Sequence, residues 1–355
     1  MNKIKMISTM SMLTLVLSSA IAIPAAAQTS VAGGGATFQQ IFVQECTKDF
    51  NAGPGAGKYS TQYTGVGSSA GLRGFANGTY AFGGTDAAYS SGKPTFAWTY
   101  VPIVGGGISV PINLKGTNGK PIGGSINLSQ DNLAKIFAGQ IPTWNNSALK
   151  KDNERIWKLI PPTPVVIVYR ADGSGTTNNF LQYLNNWRPD IWSKVQNDMS
   201  TAFVGGVPPV NSISGSGNAG VMGQVAMKDG AIGYVDLGDA LKANATVANL
   251  QNAVGEFVKP TTASIAKNLA EQTSVSTEGL VTLNYKVVSK GAYPIGIFTY
   301  SLARVNSGTP ASLGSGEFIR YMINTCGSQR AASLGFVPLE GKILETAKSL
   351  AAKAG

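Results

Sequence analysis

Histidine is absent from all 355 residues. That removes Ser-His-Asp and Cys-His catalysis, the HExxH zinc site and any imidazole proton shuttle. Two cysteines are too few for a zinc ribbon or an iron–sulfur site, which take about four sulfur or imidazole ligands. Acidic residues are scarce too, 18 against 28 Lys and Arg, for a formal charge of +10. The excess is not clustered: basic residues stand singly, without the aromatic interleaving of a single-strand platform. The charge therefore argues against nucleic acid and fits a small anion or an anionic surface.

What is present is a globular chain. Charged residues are only 13% and hydrophobic residues 43%, at a length that suits about two domains with a sizeable core. The first 27 residues read as a secretory signal: Lys3 and Lys5, an apolar stretch from Met6 to Ile23, Pro24, then Ala25, Ala26 and Ala27. Hydroxyl residues such as Ser8, Thr9 and Ser18 dilute the stretch and argue against an uncleaved anchor. No cysteine lies near the cleavage site, so the mature protein is expected to be periplasmic, not lipid-anchored, or secreted. In such a compartment Cys46 and Cys326 could form a disulfide between the two ends of the chain, or remain two buried thiols.

Alternating elements point to an α/β fold with mostly parallel sheets. Phe38, Ile41, Phe42, Cys46 and Phe50 recur at helical spacing. Strands are expected at Ser60 to Thr64, Tyr80 to Asp86, Val165 to Tyr169, Ala231 to Val235 and Ile295 to Tyr300, with helices near Gln130 to Phe137 and Phe318 to Ile323. The triple glycine Gly105 to Gly107 reads as a hinge.

Three segments share one pattern, in which glycines and hydroxyl residues precede a helix start: Gly35-Ala36-Thr37-Phe38, Gly67-Ser68-Ser69-Ala70-Gly71 and Asp172-Gly173-Ser174-Gly175-Thr176. Helix N-termini offer unpaired N–H donors and partial positive charge, glycine lets the backbone come close, and Ser or Thr adds donors. Such segments suit an oxyanion, although each alone is also an ordinary capped turn. The third is more specific, because alternation along a strand would turn Arg170 and Asp172 to the same side, letting the carboxylate hold the guanidinium toward the loop.

These residues, with Phe82-Gly83-Gly84-Thr85-Asp86, Tyr169 through Thr177, Gly230 through Val235, and Ile136 through Ile141 followed by Trp144-Asn145, resemble the phosphate-binding subunit of the high-affinity phosphate ABC transporter. The resemblance spans most of the mature chain to about residue 240. It departs at Gly84-Thr85, where the family commonly has Ala-Ser, and fits poorly from Ala243 to Lys286. It implies a two-lobed periplasmic binding protein-like fold of type II, with lobe one at 28–107 and 282–355 and lobe two at 108–281. One inorganic phosphate would lie between the lobes and be delivered to a membrane-embedded ABC permease by a monomer with no cofactor and no enzymatic activity. Carried over by motif, the ligand contacts would be Thr37, Phe38 through its N–H, Ser68, Asp86, Arg170, Ser174, Gly175 through its N–H, and Thr176, with Asp172 in support. Both cysteines would then fall in lobe one, which favours their disulfide.

Asp86 would supply selectivity, since phosphate near neutral pH still carries a proton to donate and sulfate does not. Two other motifs read as decoys. Gly215 through Gly220 fits GxGxxG with Asp236 about 20 residues on, but is expected to be a loop opening a helix. Ser264-Ile265-Ala266-Lys267 fits SxxK without its companion motifs and reads as a polar helix start. The alternatives are an exported phosphatase using the same oxyanion pocket, or a secreted surface-interaction protein.

Overall fold

The computed structural model describes residues 27–355, so the export segment, apart from Ala27, lies outside the described residues. Strand β1 (Thr29–Gly35), helix α1 (Gln40–Ala52), strand β2 (Tyr59–Gly65), helix α2 (Ser68–Ala76) and strand β3 (Phe82–Thr85) open the chain. The helical spacing read in the sequence is the buried face of α1, where Phe42, Val43, Cys46 and Phe50 pack inward. β1 lies between β2 and β3, parallel to both, with Gly35 opposite Gly65 and Gly84. A Cβ on Gly35 would run into the Gly84 carbonyl, so this close approach needs glycine.

Strand β4 (Trp98–Ser109) follows, then β5 (Ile112–Asn113), β6 (Asn127–Leu128), α3 (Gln130–Phe137), β7 (Val166–Arg170), α4 (Gly175–Trp187), α5 (Met199–Ala202), β8 (Ser212–Gly215), α6 (Gly217–Met227), β9 (Ala231–Ile232), β10 (Val235–Asp236) and α7 (Leu237–Lys242). The chain continues through β11 (Asn249–Gln251), β12 (Phe257–Val258), α8 (Thr262–Ala270), β13 (Gly296–Arg304), α9 (Pro310–Tyr321), α10 (Gly327–Arg330) and α11 (Gly341–Ala352).

The strands make two lobes. One is built on a six-stranded sheet in the order β10-β4-β13-β3-β1-β2, the other on a four-stranded sheet β5-β9-β7-β8 beside a three-stranded sheet β12-β11-β6. Helix-connected β1, β2 and β3 are parallel, whereas β4 and β13 run antiparallel. β7 is parallel to both β8 and β9, as its apolar run predicts. α8 packs on β4 and β13 of the large sheet. Among the described residues no helix is long and apolar enough to cross a membrane.

Gly105 to Gly107 are not a hinge. They lie buried inside β4, opposite Phe298, Ile297 and Gly296 of β13. Their lack of side chains serves packing: a Cβ on Gly105 would meet Leu269, on Gly106 Phe38 and Phe336, and on Gly107 Ile265. Two adjacent crossings between the lobes lie just beyond these glycines. Residues 109–112 leave the large sheet beside residues 232–235, which re-enter it. Val235 pairs with Ser109, Ile112 with Ile232, and the Gly233 N–H donates to the Pro111 carbonyl at 3.0 Å. The strand expected over Ala231 to Val235 is thus split into β9 and β10, in different sheets.

Cys46 of α1 is disulfide-bonded to Cys326, in the single π-helical turn that follows α9, across 280 residues of sequence.

Candidate functional site

The N-terminal ends of α2 and α4 meet face to face. The Ser69 N–H donates to the Gly173 carbonyl at 3.0 Å, and Asn197 Nδ2 donates to Ser69 Oγ at 3.1 Å. Gly175 is packed so closely that a Cβ there would lie 2.6 Å from Ser68 Oγ and 2.9 Å from the Asp86 nitrogen. The sequence puts glycine where two helix starts and the end of β3 must touch. Ser68, Thr176 and Asp86 are all buried.

Asp86 is the centre of this contact. Its Oδ1 accepts from Thr299 Oγ1 at 2.6 Å and its Oδ2 from Thr176 Oγ1 at 3.2 Å. Its backbone N–H donates to Ser68 Oγ at 3.3 Å, and its carbonyl accepts from Asn179 Nδ2 at 2.7 Å. Burial pushes the Asp86 carboxyl up to about 6; the Thr299 bond, the Arg170 charge and the Thr176 and Ser68 bonds oppose that rise without cancelling it.

Arg170, at the end of β7, is 1% exposed and fully organised. Nε donates to Asp172 Oδ1 at 2.8 Å, Nη2 to Asp172 Oδ2, and Nη1 to Asn218 Oδ1 at 2.8 Å. A guanidinium has five N–H donors, so one remains on each terminal nitrogen. Burial alone would raise Asp172, but the Arg170 bonds and the Gly217 N–H, 2.8 Å away, hold its carboxyl below the ordinary range. Asn218 then joins three pieces: its N–H donates to Thr37 Oγ1 at 3.3 Å and its Nδ2 to Asp236 Oδ2 at 2.7 Å. Burial, with Asp239 nearby, raises the Asp236 carboxyl well above the usual value.

The residues selected from sequence fall into two groups that adjoin through the 170–177 loop. Ser68, Asp86, Gly175 and Thr176 are in direct contact. Arg170, Asp172 and Thr37 are linked through Asn218. Ser174 lies between them; its Oγ caps α4 by accepting from the Thr177 N–H at 3.1 Å. Phe38 buries its ring against Phe336, centroids 5.9 Å apart, leaving its backbone N–H as the polar group it offers. Cys46 and Cys326 belong to the disulfide.

Sequence reasoning missed Thr299, Asn179, Asn197, Asn218 and Tyr234, whose hydroxyl lies 2.7 Å from Thr177 Oγ1. Of these, Asn218 had a visible signal. It sits inside the GxGxxG decoy, which the structure makes a strand–turn–helix with Gly217 at φ +63°. The SxxK segment is the first turn of α8, where Thr261 and Ser264 form a reciprocal capping box. Among the described residues no group of three or more Cys, Asp or Glu is placed to hold a metal ion.

The family model described as PBP superfamily domain matches residues 20–325. A phosphate-binding protein PstS of Xylella fastidiosa is 31% identical over 329 residues, covering 91% of this chain and 85% of that protein. Phosphate-binding protein PstS 3 of Mycobacterium tuberculosis is 30% identical over 332 residues, covering 89% and 82%. Among solved structures, a phosphate binding protein from Stenotrophomonas maltophilia matches with a TM-score of 0.66 at 18% identity, over 90% of this chain and 93% of that one.

Proposed function

Because this chain belongs to the PBP superfamily and to its PstS-type phosphate-binding proteins, we propose that it captures inorganic phosphate between its lobes and delivers it to a membrane-embedded ABC permease. The observation that carries the reading is a buried carboxylate, Asp86, set among helix N-termini and one organised guanidinium. An anion site gains from donors. A carboxylate there is useful only if the ligand brings a proton to it, and phosphate near neutral pH does while sulfate does not.

The roles divide by chemistry. Arg170 presents its two remaining N–H groups, held in direction by Asp172 and Asn218. The N–H groups of Phe38 and Gly175, at the starts of α1 and α4, add donors and the positive ends of two helix dipoles. Thr37, Ser68, Ser174 and Thr176 supply hydroxyls, and Asp86 accepts the ligand's proton. Closure expels water and strengthens each contact. The paired crossings at 109–112 and 232–235 serve as the hinge; β11 and β12 in the smaller lobe and α8's seat on the large sheet support two further crossings, at 243–248 and at 259–261, the last ahead of the Val281 boundary expected from sequence. The N-terminal segment that reads as a secretory signal supports export to the periplasm. A phosphatase would need an activated nucleophile, and the chain has no histidine to serve as its base.

The test is thermal unfolding of protein that has been unfolded, dialysed free of phosphate, refolded, and titrated with phosphate or sulfate. Ligand at 1,000 times its dissociation constant adds about 4 kcal/mol. A raised midpoint with phosphate alone is expected; no rise with either anion from folded protein would overturn the reading.

A further inference from the structure

Thr299 comes from the middle of β13, more than 200 residues beyond Asp86, and is fully buried. Its hydroxyl has one proton and three acceptors around it: Asp86 Oδ1 at 2.6 Å, Gln39 Oε1 at 3.0 Å and the Thr85 carbonyl at 3.3 Å. The shortest contact goes to the charged partner, the stronger acceptor. Gln39 is itself held, its Nε2 donating to Tyr63 OH at 2.9 Å and Tyr63 OH donating to the Ala36 carbonyl at 2.8 Å. One hydroxyl therefore stands between the acid and the turn that opens α1, with a single proton to give to either.

We propose that Thr299 is a specificity-determining residue of the anion site: by donating to Asp86 Oδ1 at 2.6 Å it commits that oxygen, leaves Oδ2, which accepts the longer 3.2 Å bond from Thr176 Oγ1, as the oxygen offered to the ligand, and keeps the carboxyl ionised as a proton acceptor. The proposal rests on the phosphate reading above. Its logic is the balance of charge around Asp86. Arg170 of β7 is the cation that favours the ionised form, while Tyr63 of β2 and Tyr300 of β13 are held neutral by burial and by the Asp86 charge. With its donors in place the carboxyl stands at about 6, so it is ionised at neutral pH, and loss of a donor raises it further. When Asp86 takes up a proton, the Thr299 hydroxyl can turn to Gln39 Oε1 and the acid can donate in its place. An acid so protonated no longer repels an oxyanion without a proton, and discrimination against sulfate is lost.

The experiment is calorimetric titration of stripped wild type, Thr299→Val and Thr299→Ser with phosphate and with sulfate from pH 5 to 8.5. Wild type is expected to prefer phosphate strongly at high pH, with the preference narrowing as pH falls through about 6. Thr299→Val should move that narrowing up by about one pH unit and cut the preference at neutral pH by about tenfold. Thr299→Ser, which keeps the hydroxyl, should restore both. A Thr299→Val protein with the wild-type preference and pH profile overturns the proposal, as does equal impairment of Val and Ser variants, since shape rather than the hydroxyl would then matter. If Thr299→Val does not unfold cooperatively, Thr299→Ala carries the same comparison with the same two readings. Failure of wild type itself to bind phosphate overturns the functional reading and this proposal with it.

Discussion

A carboxylate buried beside an arginine is usually an ion pair, but Asp86 and Arg170 are not bonded to each other. Asp172 takes the guanidinium fork, which leaves the Asp86 carboxylate as an acceptor for the proposed ligand. Asp86→Asn should therefore weaken phosphate binding by about 10- to 100-fold, the worth of a charge-assisted hydrogen bond of about 1.5–3 kcal/mol, while sulfate gains; calorimetry with both anions reads the two changes together. The same acid gives the apoprotein a pH signature. Its folded value of about 6 lies above the ordinary 3.8, so between them the folded state holds a proton that the unfolded chain lacks. Its cost to stability is complete above pH 6 and is relieved as pH falls toward 3.8, by about 3 kcal/mol in all. Denaturant midpoints of stripped wild type should gain on those of Asp86→Asn over that window and nowhere else. Arg170→Lys keeps the charge but cannot hold Asp172 with two parallel bonds while reaching Asn218, so affinity should fall by about 10- to 100-fold with little change in the salt dependence of binding.

At the scale of elements, α4 begins where its first residue touches the other lobe. Gly175→Ala would place a methyl 2.8 Å from the Asp86 Cβ, a clash that opening of the lobes relieves. The variant should fold with a near-normal midpoint when stripped, yet lose at least about 100-fold in phosphate affinity, mainly through faster release; stopped-flow dissociation would show it. Elements with a local signature were legible in the sequence. Val165 to Tyr169 is β-branched enough to be a buried strand, Gln130 to Phe137 is a helix as expected, and the short strand expected over Tyr80 to Asp86 is β3, Phe82–Thr85. What was not legible depends on partners far along the chain. Gly105 to Gly107 look flexible by composition, and only Ile265, Leu269, Phe38 and Phe336 pressing on them make them rigid. Thr299 is a hydroxyl in an apolar strand, with no local feature to separate it from Thr99 or Ser301. Asn218 was inside a noticed motif, but the motif's usual meaning concealed its bond to Arg170.

For the whole molecule, the disulfide and the site make separate contributions. Cys46 lies in the body of α1 and Cys326 beyond α9, both on the large-sheet side and away from the 170–177 loop. Replacing both by serine should destabilise the protein by about 2–4 kcal/mol, the usual worth of a bond closing a long loop. Phosphate affinity at 25 °C should be unchanged; unfolding and titration of the double variant measure the two effects independently. A loss of affinity comparable to that of the Gly175 variant would mean that the bond shapes the cleft.

The Cys46 to Cys326 bond also alters what a protease can do. Everything between those residues, the entire smaller lobe included, is a closed covalent ring. The exposed turn holding Val204, Val207 and Val210 lies on that ring. A single cut there opens the circle without releasing a piece, so the nicked chain should migrate as two fragments only after reduction. Its halves, still tethered, can re-pair their strands, and a nicked copy should go on binding the proposed ligand.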